Sequence, residues 1–215
     1  MFAKEGKSIL LGIGLVVIAA AIGSIFFQSF FWSFLLLPAA AALLFSLYFF
    51  RDPQRIIPAG GHLVIAPADG KIVRVLTVDD ETVGRSATLI TIFLSVFNVH
   101  VNRMPVSGVF RSVEYRSGKF LAAFDHKASD ENERTDIVID AANRTLRLKQ
   151  VAGILARRIH CYARPGAAMQ PGDRLGFIRF GSRTDLIVPN DCVVKVQVGQ
   201  KVVGGETIIG EFDEN

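Results

Sequence analysis

Between Ser8 and Phe50 the chain carries no Lys, Arg, Asp or Glu, whereas beyond Arg51 it breaks into short apolar runs bounded by Gly, Pro, Asn and Asp. The first stretch is about twice the roughly 20 residues that one helical bilayer crossing needs. It predicts a hairpin of two apolar helices within residues 1–50, either transmembrane or embedded in the membrane. Gln28 and Ser29 are its most polar interruption and Trp32 is a nearby interfacial anchor, so the reversal is expected near Gln28–Ser33, with Pro38 kinking the second helix. Lys4 and Lys7 flank the first helix while Arg51 and Arg55 follow the second. The positive-inside rule then places both ends, and the rest of the chain, on the cytoplasmic face. Ala19-Ala20-Ala21 looks like a signal-peptidase site, but the apolar run continues well past it, so cleavage there is not expected.

Arg51–Pro58 reads as a polar, proline-bearing linker into a second domain, residues 51–215, of a normal size for one fold. Ten runs in it are rich in β-branched and aromatic residues and end at turn formers: Leu63–Ala66, Lys71–Leu76, Ala87–Leu94, Gly108–Tyr115, Asp136–Ile139, Thr145–Val151, Arg174–Phe180, Leu186–Val188, Val193–Val198 and Thr207–Phe212. A mainly β domain is expected. Ala141-Ala142-Asn143 reads as a hairpin turn, and Ile154–Tyr162 as a helical turn. Gln170–Ile178 and Val198–Glu211 repeat one phrase of turn, Gly, polar residue and apolar strand. Such phrases occur in the flattened barrels of lipoyl and biotinyl carriers, which points to a barrel-sandwich fold with Gly181-Ser182 between its two related halves.

Lys and Arg outnumber Asp and Glu by 24 to 20 in 215 residues, and the basic residues are scattered. That suits a protein held against anionic lipid head groups; with no basic-aromatic motif, nucleic acid is not an expected partner. Cys161 and Cys192 are too few for a disulfide framework. His62, His100, His126 and His160 are dispersed and show no metal-ligand spacing. Ala59-Gly60-Gly61 lacks the Lys-Ser/Thr ending of a phosphate loop. Ser182 is followed by Arg183-Thr184, without the Gly that a nucleophile elbow requires two residues on.

Phe180-Gly181-Ser182-Arg183-Thr184-Asp185 admits two readings. Gly-Ser is a common turn dipeptide and would connect the flanking runs as a hairpin. Alternatively, the Gly181 carbonyl is open to attack by the Ser182 hydroxyl, an acyl shift from nitrogen to oxygen that turns the amide into a labile ester and leads to chain cleavage. Asp69, on the turn Pro67-Ala68-Asp69-Gly70, either caps its own backbone or helps to take up the Ser182 proton. Asn98, His100 and Asn102 alternate with Phe97, Val99 and Val101, so a strand there would present one polar edge, and His is the natural proton carrier near neutral pH. Lys119, His126 and Ser129–Arg134 read as a polar surface loop. Arg103, Arg134 and the pair Arg157-Arg158 are candidates for holding a phosphate or carboxylate.

Taken together, the apolar hairpin, Ala66-Pro67-Ala68-Asp69-Gly70-Lys71, Phe93-Leu94-Ser95, Asn98-Val99-His100-Val101-Asn102-Arg103, Asn132-Glu133-Arg134, Ala156-Arg157-Arg158-Ile159 and Phe180-Gly181-Ser182 resemble the phosphatidylserine decarboxylases of the short, membrane-anchored type. The resemblance covers nearly the whole chain. It implies a proenzyme that cuts itself between Gly181 and Ser182, giving a large chain 1–181 and a small chain 182–215 that begins with a covalent pyruvoyl group. It further implies a Schiff base between that group and the serine amine of phosphatidylserine, loss of carbon dioxide, and release of phosphatidylethanolamine at the membrane, with neither metal nor pyridoxal phosphate. Asp69 matches the family's processing aspartate, and His100 an active-site histidine assigned to proton transfer. Arg103, with Arg134 and Arg158, is a candidate for the substrate phosphate. Longer bacterial members carry a second histidine where this chain has Arg103, and an arginine cannot serve as a general base. Either His100 covers both tasks or Asp69 acts with less help. Two other readings stand beside this one: a membrane-tethered adaptor without enzymatic activity, and a decarboxylase for another lipid head group. The sequence is also compatible with an oligomer.

Overall fold

The protein is described by a computed structural model covering residues 1–27, 29–118, 131–153, 158–179 and 182–213. It divides into two units, Met1–Gln54 and Arg55–Asn215. In the first, a short 3-10 turn at Lys4–Gly6 leads into helices α1 (Lys7–Phe27) and α2 (Phe30–Phe49). At a rise of about 1.5 Å per residue, each is about 30 Å long, the thickness of a bilayer's hydrocarbon core. The reversal falls at the start of its expected segment. Ser29 caps α2 by accepting the Phe31 N–H at 3.4 Å, so Trp32 already lies in the first turn of α2. Gln28 is outside the described residues. Pro38 sits inside α2, which continues to Phe49. The Ser24 and Ser33 hydroxyls bond across the hairpin at 3.0 Å. At its foot the Ala3 N–H donates to the Phe50 carbonyl and the Asp52 N–H to that of Met1, both at 2.8 Å.

The second unit is mainly β, as the pattern of short runs predicts. Among the described residues its strands are β1 (Leu63–Ile65), β2 (Gly70–Asp80), β3 (Gly84–Leu94), β4 (Val101–Arg103), β5 (Gly108–Arg116), β6 (Arg134–Ala141), β7 (Arg144–Ala152), β8 (Ile159–Cys161), β9 (Ala168–Met169), β10 (Arg174–Ile178), β11 (Ser182–Val188), β12 (Cys192–Val194), β13 (Lys201–Val202) and β14 (Ile208–Phe212). An eight-stranded sheet in the order β13-β2-β3-β11-β7-β6-β5-β9 is joined by two three-stranded sheets, β4-β10-β8 and β1-β14-β12. Neighbouring strands run antiparallel throughout.

The ten expected strands are all present, with two informative differences. Ile159–Cys161 is a strand, not part of a helical turn, because it finds a partner in β10; residues 154–157 lie outside the described set. The last long strand of the large sheet begins at Ser182 and not at Leu186, so four polar residues that look like a connection are strand. Pairing on both sides overrides their low β propensity.

The core occupies one face of the large sheet. Ile90, Ile92 and Leu94 of β3, Leu186 and Val188 of β11, Leu146 and Leu148 of β7, and Ile137 and Ile139 of β6 alternate along their strands and meet Val64, Leu175, Ile209 and Phe212 from the smaller sheets and Met104 just after β4. Side chains two apart on a strand share a face. Ser182 and Thr184 therefore project inward with Leu186 and Val188, and Gln150 and Ala152 inward with Leu146 and Leu148.

Candidate active site

Ser182 opens β11, the fourth strand of the large sheet, and pairs with Leu94 of β3 on one side and Ala152 of β7 on the other. The preceding strand, β10, belongs to a different sheet. Strands β10 and β11 are therefore not the two arms of a hairpin, since hairpin strands would be neighbours. Phe180 and Gly181 lie outside the described residues. Ser182 itself is completely buried, and its Oγ has no hydrogen-bond partner among the described residues. Leaving a buried hydroxyl unbonded costs about 1–3 kcal/mol, which a merely structural position would shed by carrying Ala.

His100 is also fully buried. A ladder of contacts places it at the same end of the core. Asn102 of β4 donates through Nδ2 to Thr184 Oγ1 of β11 at 3.1 Å, and two residues back on each strand come His100 and Ser182. The direction is set by β10: the Ile178 N–H donates to the His100 carbonyl at 3.2 Å, Ile178 packs on Ala152, and Ala152 is the partner of Ser182. His100 Nδ1 lies 2.9 Å from the Asn98 carbonyl oxygen. A carbonyl only accepts, so Nδ1 carries the hydrogen, and it is Nε2 that is left to take up or give a proton. The Phe177 ring, 6.3 Å away between centroids, flanks it.

The single polar edge expected from Asn98, His100 and Asn102 is only partly realised. Strand β4 begins at Val101, and Asn98 instead closes the preceding turn, its Oδ1 accepting from Ser95 N–H at 2.9 Å and Ser95 Oγ at 2.7 Å. Asn102 is buried and bonded on both sides, since Gln150 Nε2 donates to its Oδ1 at 2.7 Å. Gly176 makes room for this pair, as a Cβ there would strike the His160 carbonyl and come within 2.5 Å of Gln150 Nε2.

Asp69 is held elsewhere. Lys71 pairs with Phe93, and Phe93 with Arg183, so Asp69 lies two strand spacings, about 10 Å, to the side of the Ser182 end of β11. Its Oδ1 accepts from Arg55 at 2.8 Å and from the Gly204 N–H at 2.8 Å, and its Oδ2 from Arg55 at 3.0 Å. The close turn is possible because Gly70 has no Cβ to meet the Phe93 carbonyl. Arg103, on the strand that follows His100, joins the same charge cluster: burial and the Arg55 guanidinium draw its pKa below the usual arginine value, while Asp69 and Glu206 pull the other way. It donates to the Gly172 carbonyl at 3.0 Å.

The other candidate arginines separate by their surroundings. Arg134 bonds to Asp136 at 3.1 Å on the same strand. Arg158 is exposed, and its carbonyl accepts the Arg179 N–H at 3.4 Å, which puts it beside the end of β10. Arg157, Lys119, His126, Ser129 and Asp130 fall outside the described residues. Burial raises the Cys161 thiol's pKa and, with the help of Asp191, pushes that of Cys192 up to about 12, so neither is poised as a thiolate nucleophile. Among the described residues no cluster of His, Cys, Asp or Glu has the arrangement of a metal site.

Residue-by-residue reading of the sequence overlooks Gln150, Thr184, Arg55 and the pair Arg183–Asp185. Arg183 and Asp185 point outward from the core face, yet each side chain is only 1% exposed, and they meet at 3.1 Å. The signal for Gln150 is present: it takes an inward position in Leu146-x-Leu148-x-Gln150-x-Ala152, where the alternation calls for an apolar side chain. Asn132, quoted above for its place in a motif, proves to be a buried clasp, donating to the Ala152 carbonyl at 2.7 Å.

Comparison with known proteins shows the family. Residues 42–210 match the family model described as phosphatidylserine decarboxylase. Proteins named phosphatidylserine decarboxylase proenzyme are 50% identical over 173 residues in Chlorobaculum tepidum, covering 80% of each chain, and 41% identical over 212 residues in Pelodictyon phaeoclathratiforme, covering 99% of this chain and all of the relative. In Burkholderia cenocepacia the identity is 47% over 199 residues, covering 92% and 91%. With a relative matched from end to end and the family model spanning most of the β unit, the chain belongs to the phosphatidylserine decarboxylase family.

Proposed function

We propose that this protein converts phosphatidylserine to phosphatidylethanolamine after cutting itself between Gly181 and Ser182, with His100 serving both reactions. The observation that carries the reading is the buried, unpartnered Ser182 hydroxyl at the start of a central strand, with the basic nitrogen of His100 at the same end of the core. In maturation, Ser182 Oγ gives its proton to His100 Nε2 and bonds to the Gly181 carbonyl carbon. The C–N bond breaks, and the Ser182 nitrogen takes the proton. Loss of the Ser182 α-proton and departure of the Gly181 carboxylate then open the chain, and hydrolysis with release of ammonia leaves the pyruvoyl group. The buried Ser182 position, paired on both sides, fits such a group: the new chain end stays anchored between β3 and β7.

When formed, the pyruvoyl group supplies an electron-accepting carbonyl for an amine-bearing substrate. The chain's own residues do the rest. The apolar surroundings of Ile178, Ala152 and Phe177 exclude water, and His100 delivers a proton to the carbon that loses carbon dioxide. Asp69 acts at a distance, holding the turn beside β3 through Arg55 and Gly204. Helices α1 and α2 are long and apolar enough to cross a bilayer, and Leu11, Ile25, Phe26 and Phe30 present apolar surface. Membrane attachment keeps the catalyst beside a lipid that scarcely leaves the bilayer, with the β unit on the cytoplasmic side by the distribution of basic residues.

Denaturing mass spectrometry of the purified protein tests the scheme. Two pieces are expected, the smaller with an N-terminus that resists Edman chemistry and reacts with hydrazines. A single chain of 23.5 kDa that still decarboxylates phosphatidylserine would overturn it. Analysis of the lipid product separates this substrate from other serine-bearing head groups. Family membership argues against an adaptor without enzymatic activity.

Of the three candidate arginines, the exposed Arg158 is assigned to the substrate phosphate, since Arg103 and Arg134 have protein partners. Arg158→Ala is expected to raise KM for phosphatidylserine in mixed micelles about tenfold, the loss of one charge-assisted contact, with kcat and self-cleavage unchanged.

A further inference from the structure

Three polar side chains fill a place where the core pattern calls for apolar ones. Asn102, Gln150 and Thr184 are each fully buried. Thr184 pairs with Gln150 across β11 and β7, and both share the inward face with Leu186 and Leu148. They form one chain of donors: Gln150 Nε2 to Asn102 Oδ1 at 2.7 Å, then Asn102 Nδ2 to Thr184 Oγ1 at 3.1 Å. Gln150 Oε1 has no partner among the described residues. A partly satisfied buried network is a poorer source of stability than apolar packing, so stability does not account for it.

Its position does. The network ties β4 to β11 and β7 one step along from the Ser182 position, and β4 follows directly on His100. With both ends of the Asn102 amide engaged, β4 can neither slide along β11 nor rotate against it without breaking a buried bond. A general base must sit within hydrogen-bond reach of the proton it takes, and misplacement by about 1 Å can lower a rate a hundredfold.

We propose that Asn102, Thr184 and Gln150 are positioning residues that set the register of His100 against Ser182, and that Gln150 anchors the unit. The inference rests on the self-cleavage reading above. Its test uses the full-length protein, purified in detergent soon after synthesis, with the uncut fraction followed on denaturing gels at a temperature well below melting. Thr184→Val keeps size and β-branching but removes the acceptor for Asn102. Cleavage is expected to slow at least tenfold while the melting temperature stays within a few degrees, with Thr184→Ser restoring the rate and Gln150→Leu slowing it similarly. If Thr184→Val and Gln150→Leu both cut at the wild-type rate, the residues are packing only and the inference falls, while the self-cleavage reading survives. If either variant melts far lower, the comparison rests on the other and on Thr184→Ser: a slow Thr184→Ser or a fast surviving variant overturns the proposal. Failure of the unmodified protein to cut at all would remove the underlying reading instead.

Discussion

A chain carrying Ser182→Ala is expected to remain a single polypeptide and to form no phosphatidylethanolamine, yet to be at least as stable as the parent chain before it is cut. Alanine offers neither the oxygen that attacks the Gly181 carbonyl nor the leaving group that opens the chain, so both maturation and everything after it are lost. Stability should move the other way. The Ser182 hydroxyl is buried without a partner among the described residues, and its removal relieves a desolvation penalty of about 1–3 kcal/mol. Differential scanning fluorimetry on the uncut variant checks the stability, and denaturing gels with lipid analysis check the chemistry. An uncut Ser182→Ala protein that still consumes phosphatidylserine would defeat the mechanism. In the parent, the segment from Ser182 onward supplies β11 in the middle of the large sheet and both β12 and β14 of a smaller one. The two pieces should therefore separate only on denaturation, and native mass spectrometry should find them together.

Much of this was legible in the sequence because the two units obey different, strong rules. The absence of charge from Ser8 to Phe50 leaves few alternatives to an apolar hairpin, and the ten β-rich runs carry their own boundaries. What sequence reasoning misses has a common physical cause. Ser182 to Asp185 reads as a polar connection because propensity scores each residue alone, whereas in the fold Thr184 accepts from Asn102 of another sheet and Arg183 is ion-paired with Asp185. Likewise, the partner that holds Asp69 is Arg55, 14 residues earlier in what looks like a linker. Contacts between residues far apart in sequence have no local signature, and buried polar groups are where they concentrate. The turn around Asn98 is the converse case. An alternating pattern suggests strand, but the Ser95–Asn98 side-chain bonds offer the backbone a local alternative that prevails.

Replacing His100 by Gln should slow both reactions, and the second measurement is the more decisive. Gln can still donate to the Asn98 carbonyl, so the turn is kept, but an amide has no basic nitrogen to take the Ser182 proton. Removing a positioned general base costs about 10²–10⁴ in rate, and cleavage of the variant should stretch from its ordinary course by at least the lower figure. Once a matured fraction has accumulated, turnover per cut chain reports on His100 as proton donor alone. A loss of similar size there supports one histidine in two roles, the first of the two readings that Arg103 leaves open. If the variant matures at the parent's rate and only turnover falls, His100 acts after the cut and not before it. The proton acceptor for Ser182 is then expected to be a carboxylate, Asp69 or Glu206, of the cluster that Arg55 and Arg103 hold together about 10 Å to the side of β11, and a rearrangement of the turn carrying Asp69 would have to precede cleavage.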